Sequence, residues 1–536
     1  MTARTITEAL VERLIEAGVR VIYGVPGGEC NLDFIAAAEK LGARFVLTRN
    51  ETAAAIMASV TAELTGAVGV AMTTRGPGLA AAVNGTAYAA LDRAPLLLIA
   101  DGYEDEQTYV SHQRVDQAAV LAPLTKASSR LRGDPLGELE RLLASATSQP
   151  PGPVYLEVAG SLIRGAAPPA ARRPDSAVGA VGAGPDAAAI ERARDLLARS
   201  KRPLVLAGLQ ARLRGRPDAL RALLAAKRVP VLTTYKAKGV VSEHDALTLG
   251  HYIGGVAEEG AMRSADLLLL YGFDPVEGPP QPWRYSATPS IELTEHAFEH
   301  PLLEPAVSVV GDIGATLASL AGSIRPQWTD ADLSALKRSV GSAARVKVGA
   351  GVSPQHVVDA AYAALPADCR ITLDAGAHML PVLHLWRCAE PNQSLISRGL
   401  STMGFALPAA IASCLADPSR RTVAFTGDGG LMMCLGELGT AIQERCAPVV
   451  VVFNDSALTL IGVKQRRRRL ASAGVDFVDV DFAQIARGFG WDAARVERSQ
   501  DLEPAFARAA AGSRATLIDV VIDPSEYDAQ ILALRG

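Results

Sequence analysis

The sequence predicts an α/β protein of three consecutive doubly wound parallel-sheet domains. Three observations lead there. Short apolar runs alternate with helical stretches along the whole chain, the pattern of repeated βαβ units. The runs PLLLIA (95–100), LLLL (267–270) and APVVVVF (447–453) have strand length and carry no polar face, as strands covered on both sides require. The length, 536 residues, corresponds to about three domains at roughly 150 residues each. A stretch rich in Pro, Gly and Ala at 165–186, and a weaker one at about 325–351, divide the chain into 1–165, 187–325 and 352–536.

Composition excludes several classes of function. Charged residues are 21% and apolar residues 49%, so global disorder is out. Net charge is −4, which leaves no basic excess for nucleic acid or anionic membrane. No apolar run approaches the ~20 residues of a membrane span. Cys30, Cys369, Cys388, Cys414, Cys434 and Cys446 form no CxxC pair or Cys/His cluster, which fits a reducing, cytoplasmic setting. The opening MTARTITEALVERLIEAG lacks the charged-then-apolar order of a signal peptide. Its Leu10, Val11, Leu14 and Ile15 predict an amphipathic helix capped by Thr5 or Thr7.

The first domain then reads as strand 19–23, the turn GVPGG (24–28), a helix, strand 44–48 and a helix from Glu51. Strand 67–73, the turn RGPG (75–78), a helix and strand 95–100 follow. The third domain repeats this style. Strand 370–373 precedes DAG (374–376), strand 422–426 precedes GDGG (427–430), and strand 448–453 precedes NDS (454–456). Each glycine- or aspartate-bearing turn falls at a strand's carboxyl end, where open α/β sheets bind ligands.

GDGG supplies Gly427, Gly429 and Gly430 around Asp428. Glycines let a phosphate approach the backbone at a helix N-terminus. Asp428 itself repels phosphate and makes sense as a ligand to a hard cation such as Mg²⁺ that bridges carboxylate and phosphate. Asp455 lies 27 positions later, at the end of the next strand, so parallel pairing would bring the two together.

GDGG followed by a strand and NDS resembles the diphosphate–metal motif of thiamine diphosphate enzymes. YGVPGG (23–28), TRNETAAAIMA (48–58) and TTRGPGLAAAVNGTAYAALDRAPLLLIADG (73–102) resemble the pyrimidine-binding domain of the acetolactate synthase, pyruvate oxidase and benzaldehyde lyase group. SRGLSTMGFALPAAI (397–411) resembles the group's cofactor segment, and 233–250 with 265–275 its central domain. The resemblance covers nearly the whole chain, in order.

It implies thiamine diphosphate and Mg²⁺ as cofactors, and roles for particular residues. Glu51 would hold the aminopyrimidine in its imino form through a carboxylic acid; without the motif, a first-turn helix acid favoured by the dipole is the simpler reading. Gly27 and Gly28 would border the cofactor, with Gly28 also near the substrate. Met403 would support the bend of the cofactor, or simply fill the core, and the Ser401 backbone would face the pyrimidine amino group. Gly376, Ala377 and His378 would touch the diphosphate. Asp428, Asp455 and the Ala457 carbonyl would hold the metal; relatives commonly have Asn where Asp455 stands. Asn454 is then a turn residue. Gln113 and His112 would lie near the reacting carbon, although an exposed loop amide and a satisfied histidine are the plainer readings.

The reaction implied is attack on a 2-oxo acid, loss of CO₂ and an enamine that passes to a second carbonyl, as in a carboligase. Non-oxidative decarboxylation, acyloin cleavage and a non-catalytic paralogue are the alternatives. The eight histidines include no adjacent pair, unlike many simple decarboxylases. RGPG and Gln113 lean toward carboligation, while Lys464 stands where acetolactate synthases usually have Trp. Lys464 opens KQRRRR (464–469), either a solvated face or a patch that meets an anionic substrate group. The arginine that flavin-binding members show after the glycine of YGF (271–273) is missing, so no FAD is expected. The resemblance also implies a homodimer or homotetramer whose sites are shared between subunits.

Overall fold

The computed structural model describes residues 4–104, 106, 111–167, 186–278, 281–299 and 302–536. Its strands form three six-stranded sheets in which every pairing is parallel. The first sheet contains β1 (Val21–Gly24), β2 (Arg44–Leu47), β3 (Gly69–Thr73), β4 (Leu96–Asp101), β5 (Ala127–Arg130) and β6 (Val154–Val158), ordered β2-β1-β3-β4-β6-β5. The second contains β7 (Pro203–Ala207), β8 (Val231–Thr233), β9 (Thr248–His251), β10 (Leu267–Tyr271), β11 (Ser290–Thr294) and β12 (Val307–Val310), ordered β12-β11-β10-β7-β8-β9. The third contains β13 (Arg370–Leu373), β14 (Ser394–Ile396), β15 (Thr422–Gly427), β16 (Val449–Asn454), β17 (Asp492–Val496) and β18 (Thr516–Val521), ordered β14-β13-β15-β16-β18-β17.

The outer two sheets share one topology and the middle sheet has another. In the middle sheet the direction of winding reverses once, between β7 and β10; in the outer two it reverses between β1 and β3 and between β13 and β15, and the last strand then steps back inside its predecessor, β6 inside β5 and β18 inside β17. The crevice at such a reversal is the usual ligand site of a doubly wound sheet. GVPGG and RGPG leave β1 and β3; DAG and GDGG leave β13 and β15.

Contacts group the chain into two compact units. One comprises Met1–Ala180, Gly399–Ser419 and Leu431–Pro448; the other comprises Val181–Arg398, Arg420–Gly430 and Val449–Gly536. The first unit therefore recruits the helix Ala406–Ala416 from far along the sequence. That helix packs on the helix Glu51–Thr65, and the Phe405 ring lies tilted against Tyr88 at 5.0 Å. The helix Glu51–Thr65 also crosses the helix Pro77–Leu91 closely. A Cβ on Gly85 would lie 2.5 Å from the Ala55 Cβ and 2.7 Å from the Thr52 carbonyl oxygen. The alanine-rich sequence here reflects backbones in near contact, with Ala53 to Val60 entirely buried.

Thr5, not Thr7, caps the first helix, Ile6–Glu16: its hydroxyl accepts from the Glu8 N–H while Glu8 accepts from the Thr5 N–H. This is a reciprocal capping box. The stretch 325–351 is not a bare linker, because it contains the helix Asp330–Ser342, capped in the same way by Thr329 and Asp332. Most of the stretch 165–186 lies outside the described residues.

Candidate active site

In the first unit, Glu51 opens its helix behind the cap Asn50, whose side chain accepts from the Thr52 N–H at 2.7 Å. Partial burial raises the Glu51 carboxyl above the ordinary range. Gly78 of RGPG leaves room for it, since a Cβ there would meet a Glu51 carboxyl oxygen at 3.0 Å. The Arg49 N–H just upstream donates to Glu437 at 2.9 Å, fixing the approach to the helix.

Gly27 is partly buried and Gly28 exposed. Gly27 sits over a buried polar cluster that sequence reasoning missed. Its N–H donates to the Asn31 side chain at 3.0 Å, and Asn31 in turn donates to Asp101 at 2.8 Å. The Cys30 thiol donates to the same Asp101 oxygen at 2.6 Å. Burial raises both Asp101 and Cys30. A Cβ on Gly27 would strike Asp101 and Thr74 at 2.5 Å, so the turn needs glycine at that place. Asp101 ends β4, a position at which an acid after an apolar run is the only available sequence signal.

Gln113 is half-buried with φ 61°, and His112 beside it is exposed. The Gln113 carbonyl accepts from the Tyr103 hydroxyl at 2.6 Å. Gln117, four residues on, was also missed: its side-chain oxygen accepts from the Gly76 N–H at 2.9 Å and its nitrogen donates to the Asp101 carbonyl at 3.0 Å. Gln117 thus ties RGPG to the end of β4. Met403 is half-buried, between a buried Thr402 and Gly404, while Ser401 is exposed and left-handed, φ 55°. A side chain at that φ is uncommon outside glycine and asparagine.

In the second unit, Gly427 pairs with Phe453 across β15 and β16. Asp428 and Asp455 therefore leave neighbouring strand ends, as their spacing predicted. Asp428 is buried; its carboxylate accepts from the Gly429 N–H at 2.6 Å and the Ala457 N–H at 3.1 Å. Asp455 is half-buried and accepts from the Thr459 hydroxyl. Burial, with the Asp428 charge added, pushes Asp455 up to about 6, and burial also raises Asp428. Asn454 is a turn residue, accepting from the Ser456 N–H at 3.3 Å and donating to Asp519 at 3.0 Å.

The DAG turn carries Gly376, Ala377 and His378. The His378 ring folds back over it: a Cβ on Gly376 would lie 2.6 Å from the ring and one on Gly427 3.4 Å from it. The ring stacks on Phe453 at 5.5 Å. Burial lowers His378 to about 3, and its Nε2 has no partner among the described residues. Gly430 closes against Asp374, whose oxygen would be 2.4 Å from an added Cβ. Lys464 is exposed on the helix Thr459–Arg467. Of its basic neighbours, Arg466 pairs with Asp528 and Arg467 donates to the Gly536 carbonyl.

Two oxygen-donor carboxylates with raised pKa, beside glycine turns and an orphaned buried imidazole nitrogen, suit a hard cation and an anionic group. Among the described residues no cluster of three or more His, Cys, Asp or Glu side chains is placed to hold a metal, so further ligands would have to come from backbone, water or the anion.

Three doubly wound sheets, with such turns at the reversal points of the first and third, define a diphosphate-cofactor enzyme. Comparison with known families gives the same answer domain by domain. Residues 4–120 match the thiamine pyrophosphate enzyme N-terminal TPP binding domain, 190–320 the central domain and 374–520 the C-terminal TPP binding domain. The chain belongs to the thiamine pyrophosphate enzyme family. It is a thiamine diphosphate-dependent enzyme that forms or cleaves C–C bonds, of the acetolactate synthase/pyruvate oxidase group.

It is similar to the catabolic acetolactate synthase of Raoultella terrigena, 27% identical over 94% of this chain and 92% of that protein. It is also similar to the acetolactate synthase of Bacillus subtilis (strain 168), 28% identical over 97% of this chain and 93% of that one. A probable 2-ketoarginine decarboxylase of Pseudomonas aeruginosa is 29% identical over 93% and 90%. No helix among the described residues is long and apolar enough to cross a membrane.

Proposed function

We propose that the protein is a Mg²⁺-dependent carboligase. It would decarboxylate a 2-oxo acid and join the remaining fragment to a second carbonyl, as the names of its acetolactate synthase relatives suggest. The observation that carries the cofactor reading is the pair of buried and half-buried aspartates at neighbouring strand ends, Asp428 and Asp455, each raised above its ordinary range.

In this reading Asp428, Asp455 and the Ala457 carbonyl hold Mg²⁺. Gly376, Ala377, His378, Gly427, Gly429 and Gly430 form the diphosphate pocket. Gly27, Gly28, Ser401 and Met403 border the pyrimidine and thiazolium, with Glu51 as the acid. When bound, thiamine diphosphate supplies the nucleophilic carbon and the electron sink. The chain supplies the rest. Glu51, whose carboxyl is raised above its ordinary range by burial, would hold a proton at the carboxyl oxygen for donation to a ring nitrogen. Gln113 and His112 would orient the substrate, and Lys464 would meet a substrate carboxylate as a mobile point charge.

The absence of neighbouring histidines supports carboligation over simple decarboxylation. A decarboxylase remains the second reading, favoured by the 2-ketoarginine decarboxylase relative and by Lys464. FAD plays no part in this proposal. Phe273 stands where flavin-binding relatives show arginine, and at the reversal point of the middle sheet Glu277 accepts from the Leu209 N–H at 2.6 Å. We also propose the functional blocks 1–165, 187–325 and 352–536, and at least a homodimer, in which Glu51 of one subunit serves the Asp428 half-site of the other.

The test is titration calorimetry of thiamine diphosphate with and without Mg²⁺, on the parent and Asp428→Ala. Tight, Mg²⁺-dependent binding that Asp428→Ala abolishes is expected. Equal binding with or without the metal would refute the metal assignment.

A further inference from the structure

A groove of about 930 Å³ lies in the second unit, between the edge strand β9, the helix Asp330–Ser342 and the carboxyl end of the helix Met379–Leu385. That last helix begins next to the DAG turn, and its seven residues span ~10 Å. The groove is therefore separate from the candidate diphosphate pocket and independent of the function proposed for it.

Its walls are basic. Lys337, Arg338 and Arg345 project from or just beyond one helix, and Arg387 faces them from the other side. Arg345 is neutralised by a two-pronged pair with Asp359, at 2.6 and 2.7 Å. Neither Arg338 nor Arg387 has a carboxylate partner among the described residues. The Lys337 ammonium donates to the backbone carbonyls of Asp245 and Glu243. Burial and the nearby charge of Arg387 lower its pKa, with the charges of Asp245 and Glu243 opposing. Like charges brought together cost energy, which a bound anion would relieve.

The one acid in the lining, Glu243, acts on the Lys337 charge from within a network of its own. Glu243 is buried at the floor and its carboxylate is consumed within the protein. It accepts from the buried Lys238 ammonium at 2.6 and 2.7 Å, from the Cys388 N–H at 2.6 Å and contacts His251 at 2.8 Å. Lys238 also donates to the Leu383 carbonyl at 2.9 Å, so the floor is a rigid network shared by the middle sheet and the Met379 helix. His384, bonded through Nε2 to the Tyr235 hydroxyl at 3.1 Å, adds an aromatic edge, and Leu249, Val340 and Leu385 an apolar border.

A solvated cationic helix face would point at open water; these side chains line a concavity of small-ligand size, typically ~300–1,000 Å³. Arginine favours phosphate through paired N–H donors, and the volume exceeds what inorganic phosphate fills. We propose that this groove is a second, non-catalytic binding site for an organic phosphate of about nucleotide size, held by Lys337, Arg338 and Arg387.

The test is calorimetry on the full chain pre-saturated with thiamine diphosphate and Mg²⁺, so that the cofactor site is closed to competition. ADP, inorganic pyrophosphate and citrate are titrated separately at low and moderate salt. The proposal expects ADP to bind once per chain, weakened by salt, and at least fivefold more tightly than pyrophosphate or citrate. Arg387→Ala and Lys337→Ala should each weaken ADP at least fivefold while leaving thiamine diphosphate affinity unchanged. No saturable ADP binding, ADP binding untouched by both variants, or preference for citrate or pyrophosphate would overturn it.

Discussion

Asp428 and Asp455 stand at the ends of two hydrogen-bonded parallel strands, and the charge of the first adds to burial in raising the second to about 6. The arrangement is self-repelling without a cation. A raised carboxyl pKa costs stability at pH values above it, because the folded state must give up a proton that it holds more tightly than the unfolded chain. Asp455→Asn should therefore stabilise the metal-free protein by about 3 kcal/mol at pH 8 and by little near pH 4. It should also weaken Mg²⁺. Urea melts at the two pH values, with and without Mg²⁺, check this; equal effects at both would contradict it.

Glu51 is half-buried and raised by that burial. Glu51→Gln should keep thiamine diphosphate affinity within a few-fold while lowering kcat by about 10²-fold or more. Calorimetry and steady-state rates together separate the two effects, and a fully active variant would remove Glu51 from the mechanism.

Ser401 occupies left-handed backbone at φ 55°. Glycine accepts that conformation freely, so Ser401→Gly should raise stability by about 1 kcal/mol with turnover retained. Ser401→Val should lose both. Thermal melts of the pair test whether the backbone, not the hydroxyl, matters here.

Glu277 is fully buried, accepts from the Thr234 hydroxyl and the Leu209 N–H, and is pushed up to about 7 by burial. Asp274 raises it further and Arg398 opposes. Since the folded pKa exceeds the unfolded one, its contribution is full below the unfolded value near 4.5 and declines as pH rises toward 7. Glu277→Gln should flatten the fall in stability across that window, by about 3 kcal/mol. An unchanged pH slope in the variant would show that the carboxyl stays ionised.

The strand ends that frame the candidate site were legible because their signals are local. The three strands expected in the third domain fall within a residue of their bounds, β13 coinciding at Arg370–Leu373, since each is an apolar run closed by a glycine- or aspartate-bearing turn, while β14, β17 and β18 were not foreseen. The neighbourhood of Asp428 and Asp455 followed from strand pairing alone. What stayed hidden depends on contacts across many residues. Asp101 receives Cys30 and Asn31 from about 70 positions away, and Gln117 reaches Gly76 across 41. The helix Ala406–Ala416 sits against the helix Glu51–Thr65, a pairing no periodicity encodes. The different order of the middle sheet was invisible too, because its strands have the same apolar character as the others.

The central claim is tested most directly by product analysis. The protein, saturated with thiamine diphosphate and Mg²⁺, is incubated with a panel of 2-oxo acids, alone and with acceptor aldehydes or a second 2-oxo acid. The account predicts CO₂ together with a new hydroxy-ketone or 2-hydroxy-3-oxo acid whose identity follows the acceptor. Free aldehyde and CO₂ in equal amounts, whatever the acceptor, would contradict it.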